Sequence, residues 1–179
     1  MATWLKCVEI LNNCGQPEKV KEHCRAVADC AFALAEAFNR RGFALDAELC
    51  RRAGLLHDIC RTLKWHSQHA MIYLLERGLR PEALIVGAHM GEYIDTDRIR
   101  EKEVVYLADK ITQGTQRVSV EERYERSLEK FTGNEDAVRA ALARRDQSLA
   151  LAAFAEAVLG VPLHEFERAG IKEPDECSE

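Results

Sequence analysis

Residues 55–59 read Leu55-Leu56-His57-Asp58-Ile59, a His-Asp pair at the end of an apolar segment. Apolar residues before the pair return at intervals of three and four, which predicts a helix from about residue 46 to about residue 59. Neighbouring helical residues point roughly 100° apart, so one metal ion can contact both side chains only over the edge between their directions. We therefore expect the pair to lie near the last turn of this helix and to contribute to a metal site.

Further His and Asp residues extend the pattern in both directions. His23 lies on the apolar stripe of a helix predicted over about 18–41, and Asp109 lies within an apolar helix predicted over about 98–113. A buried imidazole or carboxylate without a partner is costly, so a metal or another cation is expected beside each. Imidazole nitrogens and carboxylate oxygens together suit divalent transition metals. The candidate ligands, in chain order, are His23, His57, Asp58, His66, His89 and Asp109.

The remaining sequence predicts helix after helix, because alternation with period two is absent. We predict an all-α fold, a single-domain helical bundle with a C-terminal helical extension. Thr3, the pair Ser119 and Glu122, and Asn134 are predicted to cap three of the helices. The predicted segments are an N-terminal helix (1–17), a metal-binding helical core (18–125), a C-terminal helical cover (126–172) and a disordered acidic tail (173–179). The C-terminal cover has no candidate catalytic or metal-binding group.

Composition narrows the classes of function. The 179 residues are 47% hydrophobic, which is enough for one sizeable core. A net charge of −5 disfavours broad binding to nucleic acid or to anionic membranes, although a locally positive pocket is compatible with it. The apolar runs are too short for a membrane span, and seven Cys without a C-x-x-C motif indicate reduced thiols. We therefore expect a cytoplasmic protein.

The pattern of His23, residues 55–59 and Leu107-Ala108-Asp109-Lys110 resembles the HD-domain superfamily of metal-dependent phosphohydrolases over about residues 18–125. The resemblance implies two divalent ions (iron, manganese or cobalt), the first held by His23, His57, Asp58 and Asp109 and the second by His66 and His89, with Asp58 bridging. It also implies that a metal-bound hydroxide cleaves a phosphate ester or anhydride of a nucleotide-like small molecule. The ligand order is most similar to that of bacterial symmetrical diadenosine-tetraphosphatases.

His66 is preferred to His69 as the third ligand of this resemblance. Ala70, Leu74 and Gly78 follow His66 at the spacing that is common in the two-metal branch, and His69 lacks such a series. A version with one metal, without His66 and His89, stays open. Catalytic roles are assigned to Asp58 and Arg61, and phosphate or substrate binding is assigned to Arg61, Lys64, His69 and Lys110.

Two branches of the superfamily are disfavoured by residues beside the ligands. Arg61-Thr62 stands where guanosine-tetraphosphate hydrolases carry an acidic pair, and residues 89–93 lack the paired His and Gly-Tyr-Pro of cyclic-dinucleotide esterases. Two alternative functions stay open, a di-iron oxygenase of the same fold and a non-catalytic binding module that a metal stabilises. The expected partner is a small phosphorylated substrate, with no nucleic acid and no membrane, and a homodimer stays open.

Overall fold

The computed structural model describes residues 3–130 and 133–166. The regular secondary structure of this part of the chain is almost entirely helical, with one short β-hairpin, which confirms the all-α prediction. None of its helices is both long enough and apolar enough to cross a membrane. The helices are α1 (Trp4–Asn13), α2 (Glu18–Arg40), α3 (Ala47–Leu56), α4 (His66–Glu76), α5 (Arg80–Ala88), α6 (Glu101–Lys110), α7 (Val120–Lys130) and α8 (Glu135–Leu159).

The predicted helix starts are built from side-chain caps. The side chains of Thr3 and Asn134 accept hydrogen bonds from backbone amides three residues later, as N-caps do. Ser119 and Glu122 form the predicted capping box, with the amide of Glu122 donating to Ser119 Oγ at 3.1 Å and the amide of Ser119 donating to Glu122 Oε2 at 2.8 Å. These caps satisfy amides that the first turn of a helix leaves without partners.

Helix α2 is the centre of the bundle. Its apolar stripe, which includes Val27, Ala31, Leu34 and Phe38, is fully buried. Helices α3 and α6 pack against α2, α5 packs against α3 and α6, and α4 pairs with α5. The C-terminal end of α3, the start of α4 and the end of α5 therefore come together beside α2 and α6.

Gly54 allows α3 to approach α2 closely. A Cβ atom at this position would lie 3.0 Å from the Cα of Ala28 and 3.2 Å from the carbonyl oxygen of Val27. Both neighbours are backbone atoms of a buried helix, so they cannot rotate away as a side chain can. The small size of Gly54 thus determines how near the last turn of α3 lies to α2.

A small β-hairpin follows α6, where the sequence predicts continued helix. Helix α6 ends at Lys110 rather than Gln113, and strand β1 (Thr112–Gln113) pairs antiparallel with β2 (Gln116–Arg117). The chain turns at Gly114, whose φ of +58° lies in the left-handed region that glycine adopts readily. The amide of Val118 closes the hairpin on the carbonyl of Ile111 at 3.0 Å.

Smaller differences occur at three other places. Helix α3 ends at Leu56 and continues as turns through the His-Asp pair, so the predicted end at Ile59 was too late. The last predicted helix is a single 3₁₀ turn, Leu163–Glu165, after Pro162. Helix α6 begins at Glu101, three residues later than predicted. Phe131 and residues 167–179, which include the predicted tail, lie outside the described residues.

The C-terminal helices contact the rest of the bundle through a buried hydroxyl cluster. Ser148 Oγ on α8 lies 2.8 Å from the Tyr106 hydroxyl on α6 and 3.1 Å from the Tyr124 hydroxyl on α7. Burial raises the pKa of Tyr106 above its usual range. The three hydroxyls can satisfy one another, so a polar contact joins three helices without an unpaired buried group.

We predict that Gly54→Ala destabilises the protein by ~1 kcal/mol, because the clash with the α2 backbone outweighs the gain in helix propensity. Chemical denaturation monitored by circular dichroism measures the change. Gly87→Ala is the matched control, since the atoms nearest to a Cβ there belong to the side chain of Met71, whose Sδ at 2.7 Å can move away as backbone cannot. Equal stability of the two variants would contradict the proposed role of the close approach.

Candidate metal centre

Five His and Asp side chains form two groups that share one carboxylate. His23, His57 and Asp58 form the first group, and Asp58, His66 and His89 form the second. Within each group the candidate ligand atoms lie within 4.8 Å of one another. The structure thus brings both predicted sets together around Asp58, which reaches each of them.

Asp109, the sixth predicted ligand, adjoins the first group from α6. Its Oδ1 atom lies 3.2 Å from His23 Nε2 and 3.7 Å from His57 Nε2. His57, Asp58 and Asp109 are almost fully buried, whereas His23 is half-buried. The first group therefore has a buried base and one side that faces solvent.

Helix ends orient two of the imidazoles. His57 follows the last residue of α3, and its Nδ1 lies 2.8 Å from the carbonyl oxygen of Gly54. His89 follows the last residue of α5, and its Nδ1 lies 2.6 Å from the carbonyl oxygen of Val86. Carbonyls in the last turn of a helix lack helical partners, so each imidazole donates Nδ1–H to one and directs Nε2 into the site.

His23 is oriented in the same way from outside its own helix. Its Nδ1 lies 2.9 Å from the carbonyl oxygen of Gly114, at the turn of the β-hairpin. The hairpin that sequence analysis did not predict therefore holds a predicted ligand. With Nδ1 protonated, Nε2 of His23 carries the free lone pair that a metal requires.

The residues fit a divalent metal. Nε2 of His57 is buried without a hydrogen-bond partner, and the nearest carboxylate oxygens of Asp58 and Asp109 lie 3.5 and 3.7 Å away. In the second group, Nε2 of His66 lies 3.1 Å from Nε2 of His89 and 3.4 Å from Asp58 Oδ1. A bound cation gives these converging nitrogen and oxygen lone pairs a common partner.

The carboxylates of the site remain ionised far below neutral pH. Burial alone favours the neutral acid, but His57 and His89 lower the pKa of Asp58 well below its usual range. Burial likewise opposes the charge of Asp109, and Lys110 and Arg123 overcome this effect and lower its pKa. Both side chains are therefore negatively charged ligands near neutral pH.

The imidazoles of the two groups differ in basicity. Burial favours neutral His57, yet the neighbouring Asp58 and Cys24 together outweigh burial and raise the pKa of His57 well above its usual value. Burial and the neighbouring His89 lower the pKa of His66 to about 4. His66 is consequently neutral and available for metal binding at neutral pH, whereas His57 holds a proton in the metal-free protein.

Arg123 on α7 is a site residue that sequence analysis missed. Its Nη2 donates to Asp109 Oδ1 at 3.0 Å, and its Nη1 donates to the carbonyl of Thr112. Lys110 contacts the other oxygen of Asp109 at 2.6 Å. Two cations thus stabilise one buried carboxylate. The spacing of residues along the sequence does not predict this contact between α6 and α7.

The predicted substrate-binding residues lie at different distances from the site. Lys110 is buried beside Asp109, and Arg61 is exposed at the rim, with Nη1 3.3 Å from Asp58 Oδ2. Lys64 is exposed and lies over the ring of Trp65, 5.6 Å from its centroid. His69 is exposed and belongs to neither group. The structure therefore brings Arg61 and Lys110 to the site but not His69.

Two adjoining clefts open onto the site and share Arg61 and Arg123. The larger, of about 400 Å³, is also lined by Lys19, His23 and Asp58. The smaller, of about 150 Å³, includes Asp109 and is lined on the α8 side by Arg144. The cationic residues of the two clefts are Lys19, Arg61, Lys110, Arg123 and Arg144.

Comparison with known proteins identifies the family. Residues 20–114, more than half of the chain, match the family described as HD domain. The chain belongs to the HD-domain family. The match includes every predicted metal ligand, and Arg123 and helices α7 and α8 lie beyond it. HD domains bind divalent metals and are generally hydrolases of the phosphohydrolase type.

This HD domain has a relative in the archaeon Methanocaldococcus jannaschii. That uncharacterized protein is 29% identical over 160 residues, which cover 79% of this chain and 94% of the relative. No solved structure matches the chain. The similarity therefore extends past the HD domain into the C-terminal helices.

We predict that Asp58→Ala removes both metal equivalents, because Asp58 reaches both groups, and that His66→Ala or His89→Ala removes only one. Metal analysis after anaerobic purification measures the content. His69→Ala is the matched control, one helical turn from His66, and should retain both equivalents. Full metal content in Asp58→Ala would contradict bridging, and full content in both histidine variants would favour a single-metal site.

We predict that metal affinity rises with pH between about pH 6 and pH 8, because metal must displace the proton that the raised pKa keeps on His57. Asp58 is already ionised in this range and His66 is already neutral, so neither adds to the dependence. Calorimetry in two buffers of different ionisation enthalpy measures the released proton. An affinity that is independent of pH would contradict this assignment.

Proposed function

We propose that this protein is a metal-dependent phosphohydrolase that cleaves a phosphate ester or anhydride of a nucleotide-like small molecule. The observation that carries the proposal is a pair of His and Asp groups that share Asp58 and open onto clefts lined by five cations. The whole chain has a net charge of −5, so this concentration of positive charge is local. Such a cleft favours a multiply charged anion.

Each predicted ligand has a role that follows from its surroundings. His23, His57 and Asp109 hold one side of the site, His66 and His89 hold the other, and Asp58 links them. These residues would hold divalent ions, which would supply Lewis acidity and lower the pKa of water towards neutral pH. The carbonyl partners of three imidazoles fix their tautomers, so the ligands need little rearrangement on binding.

The cations beside the site separate into two functions. Lys110 and Arg123 contact Asp109 and hold its negative charge within the protein. Arg61 is about half exposed, and its Nη1 lies 3.3 and 3.4 Å from the two carboxylate oxygens of Asp58. These contacts are long, so its guanidinium can turn towards a phosphoryl group in the cleft. A guanidinium binds two phosphate oxygens at once, which orients the phosphoryl group as well as neutralising it.

Phosphate release from a panel of compounds tests the proposal. The panel contains nucleoside mono-, di- and triphosphates, diadenosine tetraphosphate, cyclic nucleotides and sugar phosphates, each with manganese, cobalt or iron under anaerobic conditions. We expect phosphate or nucleotide products from at least one nucleotide and none with Asp58→Asn. Metal-loaded protein that hydrolyses no member of the panel would overturn the proposal and favour the binding module.

The same experiment separates hydrolysis from the di-iron oxygenase alternative. Hydrolysis requires water and continues without oxygen, whereas cleavage of a carbon bond by the oxygenase requires oxygen. Product formation under anaerobic conditions with manganese supports the phosphohydrolase. Oxygen uptake that depends on substrate and iron, without phosphate release, would favour the oxygenase.

We predict that Arg61→Met lowers kcat/KM by about tenfold or more, because one charge-assisted contact to phosphate is lost. Steady-state kinetics on the best substrate of the panel measure the change. Arg139→Met is the matched control, since Arg139 is exposed on α8 and pairs only with the neighbouring Asp136 among the contacts described. An unchanged kcat/KM for Arg61→Met would show that Arg61 is a solvated surface residue.

A further inference from the structure

Two aromatic residues combine unusual exposure with an unusual backbone. Trp65 and Tyr93 are 66% and 88% exposed, and they are the exposed aromatic rings among the large apolar residues of the described chain. They are also its two non-glycine residues with positive φ, at 58° and 61°. Bulky side chains rarely adopt this conformation, and residues that do are concentrated at functional sites.

Both residues flank the second group of the metal centre. Trp65 immediately precedes His66, and Tyr93 follows His89 by four residues, a distance of at most about 14 Å along the chain. The Nε2 atoms of His66 and His89 are 3.1 Å apart, so the two loops meet at this group. Each of the two exposed residues therefore lies within four residues of a candidate ligand of this group.

Neighbouring elements hold the loop of Tyr93 in place. The carbonyl of His89 accepts a hydrogen bond from Lys110 at 3.2 Å, and the carbonyl of Gly91 accepts one from Gln147 at 3.1 Å. The carbonyl of Tyr93 itself accepts one from Lys102. The surrounding structure thus maintains the strained backbone, although the ring of Tyr93 is not packed into the core.

The backbone of Trp65 is held by the start of α4. Its carbonyl accepts hydrogen bonds from the amides of Gln68 and His69, both at 3.1 Å. The ring contributes little to the core because two thirds of it is exposed. Lys64 lies over one part of the ring, which leaves the indole as a flat apolar surface beside a cation.

We propose that Trp65 and Tyr93 stack against the planar base of a nucleotide whose phosphate lies at the metal groups. This inference rests on the proposed function and narrows its substrate class to nucleotides over phosphates without an aromatic ring. Flat aromatic side chains bind bases through their π-faces, with little dependence on which base is present. The neighbouring cationic clefts supply the complementary site for the phosphate.

Tryptophan fluorescence tests binding separately from catalysis, because the chain contains only Trp4 and Trp65. Trp4→Phe leaves Trp65 as the single reporter, and Trp65→Phe leaves Trp4, which packs under Arg51 at 4.3 Å. We expect adenosine 5′-monophosphate to quench the fluorescence of Trp4→Phe but not that of Trp65→Phe. Ribose 5-phosphate, which has the same phosphate and sugar but no base, should quench neither.

Kinetics supply the second measurement. Trp65→Ala and Tyr93→Ala should each raise KM for a hydrolysed nucleotide by about tenfold, with KM for a sugar phosphate unchanged. Leu5→Ala is the matched control, because Leu5 is an exposed apolar residue on α1. Circular dichroism and thermal melting establish that each variant is folded.

The outcomes distinguish this inference from the proposed function. Quenching of Trp65 by the nucleotide without any hydrolysis supports base stacking and refutes the phosphohydrolase. Hydrolysis with equal affinity for nucleotide and ribose phosphate, unaffected by Trp65→Ala, refutes base stacking and leaves the phosphohydrolase in place. A third outcome is that the nucleotide does not quench Trp65 and that sedimentation shows a dimer which Trp65→Ala dissociates. This outcome would assign the rings to a protein interface and overturn the inference.

Discussion

The close approach of α3 to α2 at Gly54 is the constraint on which the site depends. Gly54 has no Cβ, so its backbone lies directly against Ala28, and its carbonyl accepts the Nδ1 hydrogen of His57. The same residue therefore sets the helix separation and the direction of a candidate ligand. Because His57 Nε2 is buried without a hydrogen-bond partner, a change in this separation of a few tenths of an ångström would alter the metal centre directly.

Much of the fold was predictable because its determinants are local. Caps such as Asn134 and the Ser119–Glu122 box act within one helical turn, and apolar periodicity placed His23 and Asp109 beside the core. The β-hairpin was not predictable in this way, because it depends on the conformation of one glycine and on closure over only two residue pairs.

The sequence indicated the candidate ligands of the site but not the groups that form hydrogen bonds with them. His66 was preferred to His69 from spacing, and the structure brings His66, not His69, into a group with Asp58. The carbonyl of Gly114 and the guanidinium of Arg123 were missed because both contacts join segments that are far apart in sequence. Such long-range polar contacts leave no periodic trace, since each requires only one residue at the right place in the fold.

Helix α8 packs against the candidate site although it lies beyond the matched family segment. Gln147 holds the loop after His89 at Gly91, and Ser148 joins α8 to Tyr106 on the helix that carries Asp109. Residue 114 therefore ends the match to the HD-domain family but is not a boundary of the packed structure. Proteins that share the HD domain but differ after it can differ in the rigidity and shape of the pocket mouth, while their ligand sets stay the same.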